Sequence, residues 1–251
     1  MTAFRRTPAV LMAAFSHLHE WLPGIRNRNY NDLAPALSKA NIARIAFLRH
    51  GQTAPSQGED FDRVLTDVGR EQCREAGSSF GQDLKPFYSP LLVSPAPRTI
   101  ETANIFRKAA DETTVGLEPI PVLYDGTMQP RGRPLFKELG YAPLKEYLNH
   151  KDEKFREDAR HVLGEYAHAV VESIMDVVEK DTIDVPTNST LWVVGHAIYL
   201  PAAALGVACA VSCHGQDIIL STNTRESEGF LIDINGASIR CIERPSQQQK
   251  R

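Results

Sequence analysis

Two apolar stretches of the chain end abruptly in polar side chains, and this pattern predicts buried strands. Residues 45–48 are all apolar and are followed at once by Arg49 and His50. Residues 191–194 repeat the pattern, and His196 comes two positions after them. Continuous apolar runs of this length are typical of strands that are covered on both faces. Because ligands bind beyond the carboxyl ends of strands in open α/β sheets, both imidazoles are predicted to lie at a binding site.

A third apolar run, residues 91–93, leads into a predicted helix start. It is followed by Ser94, two prolines and Arg98. Proline is tolerated in the first turn of a helix, because the amide hydrogen it lacks would have no intrahelical partner there. The free amides of such a turn favour an anion. If the three runs are parallel neighbours, two imidazoles and two guanidiniums meet in one crevice.

Stretches with apolar residues three and four positions apart alternate with these runs, and together they predict an α/β fold. The predicted helices cover residues 66–84, with Thr66 as the N-cap, 99–109, 153–180 and 197–207. Further strands are predicted at residues 120–123, 217–220, 229–234 and 238–242, the last two joined by an Asn235-Gly236 turn.

The composition is that of an ordinary globular protein. The 251 residues are 42% apolar and 24% charged, which fits one domain with additions. A net charge of −3 gives no reason to expect nucleic acid as a partner, and no apolar run reaches the ~18 residues that a membrane helix needs. Four cysteines are too few for a disulfide scaffold, so a reduced, cytoplasmic location is expected. The spacing of Cys209, Cys213 and His214 matches no common zinc site, and we interpret the thiols as core or surface groups.

The first 40 residues differ from the rest of the chain. Arg5 and Arg6 precede an apolar patch at residues 10–15, and no acidic residue occurs before Glu20. This composition indicates either a segment that targets a mitochondrion or plastid or a helix packed on the main domain. The predicted organisation is an extension at 1–40, a main domain at 41–245 with a helical insertion at about 125–188, and a polar tail at 246–251.

The predicted crevice has the chemistry of a phosphoryl site. Arginine presents a planar fork of donors that matches phosphate oxygens. A neutral imidazole can attack phosphorus or transfer protons near neutral pH. A phosphoryl group is therefore the ligand that fits these side chains best.

Four motifs occur in one order along residues 42–242. They are Arg49-His50-Gly51, Leu65-Thr66 with Gly69-Arg70-Glu71-Gln72, Ser94 to Arg98 with Glu101-Thr102-Ala103, and Gly195-His196. Together they resemble the histidine phosphatase superfamily, the phosphoglycerate-mutase-like enzymes of branch 1. The resemblance implies a three-layer α/β/α sandwich with a mostly parallel central sheet and a helical insertion.

The resemblance also implies a covalent phosphohistidine mechanism without a metal or cofactor. His50 would be the nucleophile, and Arg49, Arg98 and His196 would bind the transferred phosphoryl group. The attacking nitrogen must be unprotonated, so acid is expected to abolish activity. Contacts to the substrate are expected from Gly51, Gln52, Thr53, Ser56 and Ala197.

The proton donor to the leaving group is a separate question. Asp125 is the first candidate, because it follows the predicted strand at 120–123, where members of the family often carry an acidic residue. It could equally be a turn residue before Gly126. Glu138 is a weaker alternative.

Two departures favour a phosphatase over a mutase. Mutase-like members place Trp-Asn where this chain has Pro55 and Ser56, and their basic and aromatic insertion is not evident. Residues 62–66 resemble instead the phosphohistidine phosphatases and the mitochondrial mutase-like Ser/Thr protein phosphatases. The expected substrate is a phosphorylated small molecule or a phosphoprotein; a phosphoglycerate-type mutase and a non-catalytic phosphate-binding or scaffold protein are the alternatives.

Selectivity for the leaving group is expected from two segments, the loop at residues 52–62 and the insertion. Within the insertion, Arg131, Arg133 and Lys137 could bind a second anionic group or form a solvated basic loop.

Overall fold

The computed structural model describes residues 32–55, 59–124, 131–180 and 185–248. Within these ranges one sheet forms from β1 (Ile42–Arg49), β2 (Leu91–Val93), β3 (Leu117–Pro119), β4 (Ser189–Gly195), β5 (Gly229–Asp233) and β6 (Ser238–Ile242). The strand order is β3-β2-β4-β1-β5-β6. The first four strands of this order pair in parallel, β5 pairs antiparallel with β1, and β6 pairs antiparallel with β5. The predicted mostly parallel sheet is confirmed.

Helices cover both faces of this sheet. They are α1 (Leu33–Lys39), α2 (Asp67–Ala76), α3 (Pro97–Ala109), α4 (Gly132–Leu139), α5 (Leu144–Leu148), α6 (Glu153–Lys180), α7 (Tyr199–Ala210), α8 (Gln216–Ser221) and α9 (Pro245–Gln248). A 3₁₀ turn, Asp60–Asp62, precedes α2, and a π-helical segment, Gly77–Gly81, continues it. Helices α1, α6 and α7 pack on one face of the sheet, and α2 and α3 pack on the other. The three-layer α/β/α sandwich is therefore confirmed, with α4 to α6 between β3 and β4.

The apolar run of β1 follows from its central place in the sheet. Side chains alternate between the two faces of a strand. Ile45 and Phe47 face the layer of α6 and α7, and Ala46 and Leu48 face the layer of α2 and α3. All four are fully buried, and burial of one large apolar side chain stabilises a fold by about 1.5–3 kcal/mol. After Arg44, near the start of the strand, the sequence therefore becomes polar again only at Arg49, where the strand ends.

The strand register brings three strand ends to one edge of the sheet. Arg49 pairs with Gly195, and Val93 pairs with Val194. The N–H of His50 donates to the carbonyl oxygen of Gly195 at 3.1 Å. The residues that follow β1, β2 and β4 consequently emerge side by side.

Two of the predicted strands are wrong. Strand β3 ends at Pro119, and the predicted strand at residues 120–123 is a turn followed by a helical segment. Pro121 has no amide hydrogen to donate to a strand ladder, so pairing cannot continue there. Residues 217–220 belong to α8 and not to a strand. A short apolar run does not by itself distinguish a buried strand from a buried helix.

The predicted helices are present, some with shifted ends. Helix α6 has the predicted limits, α3 begins at Pro97 rather than at Thr99, and α7 covers Tyr199–Ala210 rather than 197–207. Thr66 is the N-cap of α2, and its Oγ1 accepts from the N–H of Gly69 at 3.0 Å.

The two ends of the described chain are packed against the main domain. Leu33 and Leu37 of α1 are buried in the core that α6 also lines. Near the other end, the N–H of Ser246 donates to the carboxylate of Glu75 at 2.6 Å. The apolar patch at residues 10–15 lies outside the described residues, so the interpretation of the extension stays a prediction. Within the described ranges, no helix combines the length and the apolar character needed to span a membrane.

Candidate active site

Two imidazoles lie side by side where β1 and β4 end. The ring centroids of His50 and His196 are 5.3 Å apart, and the ring planes are inclined by 61°. Only 8% of His50 and 3% of His196 is exposed. Arg98, which is 2% exposed, reaches the same place from the first turn of α3. Its Nη2 lies 3.2 Å from Nδ1 of His196.

The hydrogen bond of His50 fixes which ring nitrogen can react. Nδ1 lies 2.7 Å from the carbonyl oxygen of Gly51. A carbonyl oxygen can only accept, so Nδ1 carries the ring hydrogen and donates it. Nε2 of the neutral ring therefore keeps its lone pair and can act as a nucleophile.

A chain of hydrogen bonds fixes the opposite tautomer in His196. The guanidinium of Arg98 has only donors, so Nδ1 of His196 accepts from it. Nε2 then carries the hydrogen and donates to Oγ of Ser94 at 2.8 Å. Oγ of Ser94 also accepts from the N–H of Ala96, at 3.3 Å. The imidazole of His196 is thus held between Ser94, which follows β2, and Arg98, in the first turn of α3.

Arg49 is a buried cation beneath an aromatic ring. It is 6% exposed, and its Cζ lies 4.8 Å from the ring centroid of Tyr141. Nη1 donates to the carbonyl oxygen of Thr224 at 2.7 Å, and Nη2 donates to Oε1 of Glu226 at 3.1 Å. These partners compensate for the burial of the charge.

A carboxylate that the sequence analysis did not single out lies on Arg98. Oδ2 of Asp60 accepts from Nη2 of Arg98 at 2.8 Å, and the main-chain oxygen of Asp60 accepts from Nη1 at 2.6 Å. Arg63 donates to Oδ1 of Asp60 at 3.2 Å, and the hydroxyl of Tyr124 lies 3.5 Å from Oδ2. The only hint in the sequence was the spacing of Asp60 and Arg63, an acid and a base three positions apart. Such spacing does not show where a loop will lie relative to the rest of the fold.

Burial keeps both imidazoles neutral. Together with the charges of Arg49 and Arg98, it lowers the pKa of His50 to about 3. Burial, followed by the nearby His50 and Arg98, lowers the pKa of His196 well below its ordinary value. Burial opposes ionisation of Asp60, but the arginines that contact it hold its pKa below the ordinary value. At neutral pH the site therefore holds two neutral rings and an ionised carboxylate.

The site opens into a cavity of about 470 Å³. Both segments that were expected to select the leaving group line it, the loop at residues 52–62 through Glu59 and Asp60 and the insertion through α4. Four cations, Arg63, Arg98, Arg133 and Lys137, face two carboxylates, Glu59 and Asp60. A lining with more positive than negative groups attracts a phosphate dianion.

The residues expected to contact the substrate have different positions. Ala197 lines the cavity together with His50, Arg98 and His196. Gly51, Gln52 and Thr53 do not. The N–H groups of Gly51 and Gln52 donate to side chains of α3 and α2, at 3.1 and 2.8 Å, and Thr53 accepts from Arg63. These three residues hold the loop in place.

Some expectations lie outside the described residues. Ser56 and Asp125 fall in the ranges 56–58 and 125–130, so their roles stay predictions. Glu138 is described, and it does not line the cavity. Arg131 pairs with Glu165 at 3.4 Å, whereas its neighbours Arg133 and Lys137 line the cavity.

The cysteines are not placed as metal ligands. In the described part of the chain, no group of three or more His, Cys, Asp or Glu residues is arranged to hold a metal ion. Burial raises the pKa of the Cys209 thiol to about 12 and that of Cys213 to about 11. Both thiols are therefore neutral at physiological pH.

Solved structures with the same fold include both mutases and phosphatases. The chain resembles a phosphoglycerate mutase from Bacillus anthracis with 16% identity and a TM-score of 0.52, over 82% of this chain and 94% of that one. It resembles a mycobacterial glucosyl-3-phosphoglycerate phosphatase with 15% identity and a TM-score of 0.50, over 80% and 98% of the two chains. A phosphoserine phosphatase from Entamoeba histolytica matches with 18% identity and a TM-score of 0.48, over 80% and 95%. Likeness at this level of identity shows the fold and does not choose between the activities.

The sequence itself decides the family. None of the curated proteins compared with the chain matches it. The model of the histidine phosphatase superfamily (branch 1), however, matches residues 45–208, which is more than half of the chain. The matched range contains His50, Arg98 and His196, the side chains that the fold brings together at one sheet edge. Sequence, fold and site geometry thus agree, and the chain belongs to the histidine phosphatase superfamily (branch 1).

Proposed function

We propose that the chain is a phosphatase that hydrolyses phosphomonoesters through a phosphohistidine on His50. One observation carries the proposal. His50 lines the cavity as a buried neutral imidazole, with Nδ1 donating to Gly51 and Nε2 unprotonated. A binding protein for phosphate needs the arginines, but it has no use for a nucleophile held in this tautomer.

The first step is attack of Nε2 on phosphorus. The N–P bond forms as the bond from phosphorus to the ester oxygen breaks, and the leaving oxygen takes the electron pair and a proton. Arg98 and His196 lie beside His50, and we propose that they bind the equatorial oxygens as charge develops on them. Their N–H groups, which in the unliganded protein are directed at Asp60 and Ser94, would then turn to the phosphoryl oxygens. Phosphoryl transfer depends mainly on such positioning and electrostatic stabilisation, and one comparable donor contributes ~3–4 kcal/mol in other enzymes. Arg98 and Arg63 supply positive charge, so the proposed reaction needs no metal ion.

The second step releases inorganic phosphate. A water oxygen bonds to phosphorus as the N–P bond breaks, and the electron pair returns to Nε2. The ionised Asp60 lines the cavity and suits the role of proton acceptor for that water better than that of proton donor. Asp125 remains the proposed donor to the leaving group.

Hydrolysis of p-nitrophenyl phosphate in EDTA tests the proposal. Nitrophenolate leaves without protonation, so the assay does not depend on the unidentified proton donor. We expect the wild type to release phosphate and His50→Ala to lose at least about a thousandfold in kcat, because no other group replaces a nucleophile. His214→Ala is the matched control, since His214 is exposed and does not line the cavity. Undiminished turnover by His50→Ala would contradict the proposal.

The same preparation separates the two alternatives. A mutase would interconvert phosphoglycerates when a bisphosphate primer is present, and we expect no interconversion. A scaffold protein would bind vanadate but turn over none of a panel of sugar phosphates, nucleotides and phosphopeptides.

A further inference from the structure

One wall of the cavity has a chemistry that phosphoryl transfer does not require. Among the described residues, four large apolar side chains are exposed, and two of them, Phe136 at 38% and Tyr141 at 48%, line this cavity. Their rings are in edge-to-face contact, with centroids 5.2 Å apart. Two exposed aromatic rings beside a reactive group indicate a surface that binds a ligand rather than side chains that pack in the core.

Three residues of this wall lie on one face of helix α4. Arg133, Phe136 and Lys137 are three and four positions apart, so they lie on the same side of the helix. The other side carries Gly132 and Leu135, which are buried. Helix α4 thus presents one aromatic ring and two cations to the same cavity.

Tyr141 joins this face to the phosphoryl site. Gly140 has a φ of +56°, a conformation that side-chain-bearing residues rarely adopt, and its N–H donates to the carbonyl oxygen of Phe136 at 2.7 Å. The chain can therefore turn back after α4, so that the ring of Tyr141 contacts Phe136 on one side and covers the guanidinium of Arg49 on the other. Both rings line the cavity into which His50 opens, and this cavity must also hold the group that leaves from phosphorus.

The size and charge of the wall define a substrate class. About 470 Å³ lies within the 300–1,000 Å³ that is typical of sites for small molecules. Aromatic rings bind flat apolar groups by stacking or edge contact. Arg133 and Lys137, the two cations of α4 in this lining, suit a second negative charge.

From these observations we infer that Arg133, Phe136, Lys137 and Tyr141 form the leaving-group subsite. The substrate class is a small phosphomonoester whose leaving group is a flat aromatic ring with a second acidic group. The inference rests on the proposed function, since it takes His50 as the position of the transferred phosphoryl group.

Binding of non-hydrolysable phosphonates to the full chain tests the subsite without requiring turnover. Methylphosphonate, phenylphosphonate and 4-carboxyphenylphosphonate differ by the ring and then by the charge. By calorimetry we expect the ring to tighten binding about tenfold and the carboxylate to add about threefold, as for a partly exposed ion pair. Phe136→Ala should abolish the first ratio and leave the affinity for methylphosphonate unchanged. Lys137→Gln should abolish the second ratio; because it removes one of four cations that line the cavity, it should also weaken methylphosphonate and phenylphosphonate by one common factor, which cancels in the ratios.

Two matched controls remove similar side chains elsewhere. Val68→Ala removes an exposed apolar group from α2, and Lys145→Gln removes an exposed cation from α5, and neither residue lines the cavity. Both variants should bind all three phosphonates as the wild type does.

Two results would overturn the inference. One is equal affinity of the wild type for the three phosphonates. The other is that the affinity ratios of Phe136→Ala and Lys137→Gln equal those of the controls. Tighter binding of an acidic phosphoserine peptide than of 4-carboxyphenylphosphonate would overturn the small-molecule assignment. Loss of turnover with these ratios intact would contradict only the proposed function.

Discussion

At the scale of single residues, Arg98 has two tasks that compete. It is expected to bind the phosphoryl group, but in the unliganded protein its donors are directed at Asp60 and at His196. A phosphate dianion must therefore share Arg98 with a carboxylate of the same sign. Like charges about 5 Å apart repel by roughly 3 kcal/mol at an effective dielectric constant near 20, so Asp60 limits how tightly the product phosphate is held.

This competition gives a prediction for Asp60→Asn. The amide oxygen can still accept from Arg98, but the negative charge is gone. We expect inorganic phosphate and vanadate to bind about tenfold more tightly, since a tenfold change corresponds to ~1.4 kcal/mol of the removed repulsion. The measurement is the inhibition constant against p-nitrophenyl phosphate. Asp62→Asn is the control, because Asp62 is exposed in the same 3₁₀ turn and does not line the cavity. Weaker inhibition of Asp60→Asn than of this control would show that Asp60 chiefly positions Arg98.

At the scale of elements, the start of α2, the first α-helix after His50, depends on Thr66. Its Oγ1 accepts from the N–H of Gly69 and donates to Oε1 of Gln52 at 2.9 Å, which joins α2 to the loop after His50. Gly69 permits this contact, because a Cβ there would lie 2.1 Å from the carbonyl oxygen of Gln52. The family motif at this position therefore has a physical reason.

Thr66→Ala should lower the free energy of unfolding by about 1 kcal/mol, the usual contribution of an N-cap. Urea denaturation measures it. Thr66→Ser keeps the hydroxyl and should retain most of the stability. If Thr66→Ser lost as much as Thr66→Ala, the methyl contacts and not the cap would be responsible.

Strands that are buried on both faces and helices with one apolar stripe could be predicted from the sequence. Elements whose conformation depends on tertiary contacts could not. The run at residues 45–48 and the stripe of α6 carry their own signal, because burial dictates their pattern. Residues 217–220 do not, since Ile219 and Leu220 would be buried in a helix or a strand alike. At the site, His50, Arg98 and His196 could be predicted because each belongs to a motif at the end of an apolar run or at a helix start. Asp60 and Tyr141 could not be predicted, because they reach the site through loops, whose conformation leaves no periodic pattern in the sequence.

At the scale of the whole molecule, folding has to keep His50 and His196 neutral. An unfolded histidine titrates near pH 6.5, whereas burial lowers the pKa of His50 to about 3 and that of His196 well below its ordinary value. Below pH 6.5 the unfolded chain therefore binds protons that the folded chain does not. The folded state therefore loses stability as the pH falls. The contribution of these two histidines to stability is greatest above pH 6.5.

Between pH 7.5 and pH 5, His50 alone should lower the free energy of unfolding by about 2 kcal/mol, with a further loss from His196. Urea denaturation at the two pH values measures the change, and His50→Gln should remove the part that belongs to His50. The attacking nitrogen itself stays unprotonated down to about pH 4, so acid inactivation between pH 6 and pH 4 should follow unfolding rather than titration of the nucleophile. Equal stability of the wild type at both pH values would contradict this account.

Chemical trapping of the intermediate tests the central claim most directly. The full chain is mixed with ³²P-labelled phenyl phosphate in EDTA, quenched within milliseconds in alkali, where a phosphohistidine survives, and digested for peptide mapping. We predict label on the peptide that contains His50, no label in His50→Ala, and loss of the label in acid. Turnover by the wild type with no labelled protein, or with the label on any residue other than His50, would contradict the account.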